Sequence, residues 1–225
     1  MCGRYALSIT AARLGEFFKV GGDAVASSFQ PSYNVAPGQT VWGCLDDDGG
    51  RRLEPFSWGF VPPWARVPEF KSRLINARSE SAATKTVFRA AFQKRRCLVP
   101  ADAFYEWKPM GSGKQPYCIA MTDREPFAIA GIWGTWVDVA GGQLRSCALL
   151  TTAANGVVSD LHERMPVILP ESAWDRWLSP ASDLDELQFL MRPFPDEGMQ
   201  AWPVGRGVNS VANDSAALQE PLRTS

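Results

Sequence analysis

Between residues 96 and 152 the chain passes through five short apolar or alternating runs: RCLVP (96–100), AFYEW (103–107), PYCIAM (116–121), FAIAGIW (127–133) and SCALLTT (146–152). Turn-forming stretches, GSGK at 111–114 and AGG at 140–142, punctuate them. Runs this short, bounded by glycine-rich turns, read as β-strands. The connections are too short for crossover helices, so consecutive strands must pair antiparallel. A doubly wound parallel sheet is thereby excluded. The prediction is an α+β fold: a single domain with a mainly antiparallel, barrel-like β-sheet core and peripheral α-helices. MPVIL (165–169) adds a further strand.

Helices fall outside this block. In TAARLGEFFK (10–19), Leu14, Phe17 and Phe18 share a face and Thr10 is placed to cap the start. Residues 79–94, with Phe88 and Phe92 four apart, predict a second helix, and 171–178 and 183–191 two more. PSYNVAPGQT (31–40) reads as an irregular loop leading into a strand near 40–44, and DDDGG (46–50) as a turn. The last dozen residues are polar and predicted to fray, giving a domain over 1–215 and a short tail over 216–225.

With 225 residues, 45% hydrophobic and 21% charged, the chain can bury a substantial core. No apolar run approaches the roughly 20 residues that span a bilayer. The N-terminus lacks the apolar stretch of a secretory signal, so a soluble, cytoplasmic protein without a membrane partner is expected. The five cysteines form no CxxC pair, and His162 is the single histidine. This pattern supports neither a disulfide framework nor a metal site, and no cofactor is implied. Net charge is −1, but residues 51–96 hold 11 Lys/Arg against 3 Asp/Glu. Such a segment is either a solvated surface or a face for a polyanion.

Candidate chemistry begins at Cys2. Removal of the initiator methionine leaves a terminal cysteine, with an amine and a thiol on adjacent carbons. A terminal amine titrates near pH 8, so a useful fraction is unprotonated at neutral pH. The amine can condense with an aldehyde to an imine, and the thiol can then close a five-membered thiazolidine. His162, in LHERMP, sits where a loop meets a strand, a frequent place for functional groups. Glu106 shares a strand face with Phe104: buried, it is a general acid with a raised pKa; exposed, it is a solubilising charge. Asn76 and Arg78, alternating in LINARSE, suit oxyanion or phosphate recognition, or mark a strand end with an Asn turn. Of nine tryptophans most belong in a core, whereas Trp64, in WGFVPPW, is the candidate for an exposed, base-stacking ring.

Taken together, MCGRY (1–5), YNVAPG (33–38), WGFVPPW (58–64), NARSE (76–80), RCLVP through FYEW (96–107), AGIW (130–133), TTAAN (151–155) and HERMP (162–166) resemble the SRAP family, the SOS response-associated peptidases that shield abasic sites. The short C-terminus is similar to compact bacterial members. The resemblance implies binding of single-stranded DNA containing abasic sites and a covalent crosslink from Cys2 to the ring-opened deoxyribose. It implies autopeptidase release of Met1, lyase-like activity, and action as a monomer on nucleoid DNA. It assigns Asn76 to orienting the sugar or the amine, Glu106 to acid–base steps and His162 to proton movement. Arg4, Arg78 and Arg164 would hold phosphates, Trp64 would pack against DNA, and Asn34 would shape the DNA site. Three rival readings remain: a class II amidotransferase using Cys2, a cysteine peptidase with a Cys2–His162 dyad, and a non-covalent single-strand binder.

Overall fold

The computed structural model describes residues 3–20, 28–47, 50–67, 74–111 and 113–222. In chain order the strands are β1 (Tyr5–Leu7), β2 (Ser32–Val35), β3 (Thr40–Asp47), β4 (Gly50–Trp58), β5 (Asn76–Arg78), β6 (Arg96–Ala101), β7 (Ala103–Met110), β8 (Gly113–Met121), β9 (Phe127–Val137), β10 (Gln143–Ala153), β11 (Arg164–Pro166), β12 (Ile168–Leu169) and β13 (Met199–Pro203). The helices are α1 (Ala11–Phe18), α2 (Ser79–Ala82), α3 (Thr86–Lys94), α4 (Gly156–Ser159), α5 (Trp174–Leu178) and α6 (Leu184–Leu190).

Strands β10, β4, β3, β6 and β9 are paired in a ring, because β9 also pairs with β10, so the sheet closes on itself. Closure removes exposed strand edges and encloses a packed interior. Gly131 makes room there: a Cβ at this position would stand 2.8 Å from the Cys97 sulfur. A second, open antiparallel sheet has the order β13-β8-β7-β1-β2. The chain crosses from one sheet to the other at Asp102, between β6 and β7. That corner is pinned to the end of β1, since Asp102 Oδ2 accepts from the Ser8 hydroxyl (2.7 Å) and the Asp102 amide donates to the Ala6 carbonyl (2.9 Å). One face of the open sheet, with Tyr5, Leu7, Phe104 and Ile119, joins the barrel in a large apolar cluster, and its other face, with Ala6, Tyr105, Cys118 and Trp202, forms a smaller one.

The expected antiparallel, barrel-like core with peripheral helices is present, and Thr10 caps α1 by accepting from the Arg13 amide (3.2 Å). The GSGK stretch is the β7–β8 hairpin, though Ser112 lies outside the described residues, as do residues 48–49 of the DDDGG turn. Several expectations need correction. The loop expected at 31–40 contains β2, which becomes a strand by pairing with the distant β1. The helix expected over 79–94 is two helices. Lys85 is extended (ψ 126°), in a Thr84-Lys85-Thr86 stretch where β-branched residues disfavour helix. The strand expected at 165–169 divides at Val167, because β11 pairs with β10 and β12 with β9. β4 and β13 were not expected; each contains a proline, which argues against a strand in sequence. The expected frayed tail is packed through residue 222. Leu218 is buried, the Trp202 indole donates to the Gln219 carbonyl (2.8 Å), and the Leu222 amide donates to the Pro203 carbonyl (2.9 Å).

Candidate active site

The N-terminal strand leads the chain to Glu106. β1 pairs antiparallel with β7, Tyr5 opposite Phe104, and the Tyr105 amide donates to the Arg4 carbonyl (3.0 Å). Continuing that register sets Gly3 beside Glu106. Met1 and Cys2 lie outside the described residues. Tyr5 packs on Trp58 (ring centroids 5.4 Å), and the Trp58 indole donates to the Ile75 carbonyl (3.0 Å). These two contacts tie the start of the chain to the strand that carries Asn76.

Glu106 lies on the buried face that it shares with Phe104, so the strand periodicity that allowed two roles resolves in favour of the buried one. It is 3% exposed. Burial raises its pKa above the ordinary carboxylate value, against the opposing effects of the Trp107 backbone amide and the Lys114 charge. Burial thus favours the protonated carboxyl, the form that can act as a general acid.

His162 follows α4 and precedes β11. The Arg164 backbone amide donates to His162 Nδ1 (2.9 Å). An amide can only donate, so Nδ1 is the acceptor, and the neutral ring carries its proton on Nε2. Burial lowers the His162 pKa, and Lys114 lowers it further, so the neutral ring is favoured. Lys114, on the β7–β8 hairpin, therefore acts on both Glu106 and His162, which places the two in one electrostatic neighbourhood. No sequence signal singled out Lys114, because its turn reads as a plain hairpin.

β10 holds the remaining groups in place. On one side it pairs with β5, Leu149 opposite Asn76 and Thr151 opposite Arg78. On the other it pairs with β11, Ala153 opposite Arg164. Arg78 is exposed, as expected of a phosphate contact. Arg164 is not: it is 9% exposed, and its guanidinium bonds both Glu80 carboxylate oxygens (2.5 and 2.9 Å) and the Thr151 carbonyl (2.5 Å). The Arg164 hydrogen bonds hold the Glu80 pKa down, so this carboxylate stays ionised as its partner. These bonds make Arg164 a brace across β10 under the site. Glu80, its partner, was missed because the two are far apart in sequence.

Asn34, expected to shape the site, lies beneath its surface. It is 2% exposed, accepts from Arg4 (2.7 Å) and donates to the Ser210 and Asn213 carbonyls (2.9 and 2.7 Å). Its amide is consumed by the protein and shapes the site from below. Arg4 also donates to the Val208 carbonyl (2.7 Å), so its guanidinium is partly committed to the C-terminal segment. Trp64 is 64% exposed, whereas the other eight tryptophans are buried or half-buried.

Comparison with known proteins matches this arrangement to a family. The profile of the SOS response associated peptidase (SRAP) family matches residues 1–211. This chain belongs to the SRAP family. Among its relatives, the abasic site processing protein YoqW of Bacillus subtilis is 37% identical over 222 residues, covering 98% of this chain and 99% of the relative. The abasic site processing protein YedK of Escherichia coli is 31% identical over 230 residues, covering 99% and 100%. The SRAP fold is likewise similar to the crystal structure of a protein from Bacteroides thetaiotaomicron, with a TM-score of 0.90, 26% identity, and coverage of 99% and 100%.

Proposed function

We propose that this SRAP protein captures abasic sites in single-stranded DNA through a covalent bond to Cys2. The observation that carries the reading is the raised-pKa Glu106, buried beside the point to which β1 directs the start of the chain, in the same field as a neutral His162. The other cysteines support it by elimination. Cys44, Cys97, Cys118 and Cys147 are buried, and burial raises each thiol, to about 12 for Cys44 and Cys118. None of these four supplies a thiolate near neutral pH, which leaves Cys2.

The chemistry has three stages. Hydrolysis of the Met1–Cys2 bond consumes one water and frees the Cys2 amine. That amine condenses with the aldehyde of the ring-opened deoxyribose, forming a C–N bond and losing the carbonyl oxygen as water. The thiol sulfur then adds to the imine carbon, and its proton passes to nitrogen. Glu106, protonated, supplies the proton that the departing oxygen needs and takes one back on reversal. His162 presents its Nε2 proton to a sugar oxygen. Asn76 orients the sugar or the amine beside it. Arg78 meets a phosphate, and Trp64 stacks on a neighbouring base, since a baseless nucleotide offers no edge to read.

Replacing Cys2 by alanine tests the reading. The variant keeps reversible binding to single-stranded DNA but yields no adduct that survives heat and denaturant. An adduct of undiminished yield would overturn the assignment of Cys2. A non-covalent binder would give no such adduct even from the unsubstituted protein, and an amidotransferase would hydrolyse glutamine.

A further inference from the structure

The basic stretch at 51–96 is divided by the fold. Arg51 is paired with Asp175, and Arg52 with Asp47 and Glu54. Arg96 is buried and donates to the carbonyls of Phe92, Gln93, Trp177 and Ser179, closing the ends of α3 and α5. Lys85, Arg89 and Lys94 are used in neither way. All three are exposed, and no carboxylate of the described residues forms an ion pair with them. The sequence contains no acidic residue between Glu80 and Asp102, so nothing on this helix offsets their charge.

Their placement is tied to the site. α3 buries Phe88, Ala91 and Phe92, and Phe88 packs on Phe60 (5.7 Å) in the loop that carries Trp64. Lys85, the extended residue that precedes α3, and Arg89, in its first turn, are both exposed and lie to the side of that buried face. The Lys85 amide donates to the Ser81 carbonyl (2.9 Å), so α3 begins one turn beyond α2, which itself follows Arg78 directly. Arg78, Lys85 and Arg89 are thus exposed cations that follow one another along a segment beginning two residues from Asn76.

We propose that the outward face of α3 is a second phosphate-binding surface, on which Lys85 and Arg89 receive the backbone of single-stranded DNA as it leaves the lesion past Arg78. The inference rests on the DNA-binding reading above and extends the footprint to one side of the abasic nucleotide. A phosphate backbone is the occupant because the face presents cations without carboxylates, and its charges recur along a line.

The test is the double variant Lys85→Ala/Arg89→Ala. Both residues are exposed and outside the proposed catalytic groups. Reversible binding is measured against salt with 20-nucleotide strands carrying a non-reactive tetrahydrofuran abasic analogue, extended on either the 5′ or the 3′ side. The log–log salt slope should become shallower by about 1.4, since a single-strand phosphate contributes roughly 0.7 and two are lost. Affinity near 0.1 M salt should fall on the order of tenfold, with strands extended on one side only. Crosslinking to a five-nucleotide abasic strand should be unchanged. An unchanged slope, or an equal loss with both extensions and with the short strand, would overturn the proposal. Failure of the unsubstituted protein to crosslink any abasic strand would instead overturn the covalent reading, and the salt slopes would still decide this one.

Discussion

The closed barrel and the open sheet beside it handle buried polarity differently. The barrel strands bury Cys44, Cys97, Leu98 and Cys147 in an apolar interior, and the Ser146 hydroxyl there accepts from the Val61 amide (2.8 Å). The guanidinium of Arg96, at the barrel's rim, is surrounded by carbonyl acceptors. Burial lowers the Arg96 pKa to about 10 and leaves it a cation at neutral pH, whereas the open sheet buries a carboxyl, whose charged form burial disfavours. It also anchors Arg4, Asn34 and Trp107 to the segment at 208–213 through side-chain hydrogen bonds. A buried ionisable group costs stability, and proteins retain one where its displaced pKa serves chemistry. The barrel surrounds its buried cation with carbonyl acceptors, while the open sheet buries a carboxyl in conditions that favour its neutral form.

The largest effect should come from Glu106→Gln. Removing a general acid costs on the order of 10²–10⁴ in rate, read here as the rate of crosslink formation and reversal. The stability effect has the opposite sign. A carboxyl whose folded pKa is raised contributes full stability below its unfolded value and loses it as pH rises through the folded value. Glu106→Gln should therefore raise the melting temperature at pH 8 and lose that advantage near pH 4. A variant that is destabilised at pH 8 would break the comparison.

Leu98→Ala acts on the other side. Its side chain is fully buried in the barrel, so truncation should cost about 2–5 kcal/mol in denaturant unfolding. The folded fraction should still crosslink at the unsubstituted rate. A selective loss of crosslinking would show that the barrel is part of the chemistry.

Trp64→Ala should have the smallest effect. A stacked base is worth about 1–3 kcal/mol, so reversible binding weakens while the melting temperature is unchanged. Loss of stability there would mean that Trp64 packs on the protein.

The sequence made the strands at 96–152 legible because alternation and glycine turns are local signals. β2 was hidden because its pairing partner β1 lies some 30 residues away, and Pro55 and Pro203 masked β4 and β13. For the site, residue types and alternation singled out Asn76, Glu106 and His162. The burial that raises the Glu106 pKa appears only once the sheets are assembled. The hydrogen-bond partners of Arg164 and Asn34 were hidden for the same reason. Their partners Glu80, Ser210 and Asn213 are 84 to 179 positions distant, and no local pattern shows that a surface-seeming polar group is already occupied.

The central claim is tested most directly by intact mass spectrometry of protein lacking Met1, mixed with uracil-excised single-stranded DNA and denatured. The account predicts one species at the mass of protein plus DNA less one water, absent for Cys2→Ala. Recovery of protein and DNA only at their separate masses would contradict it.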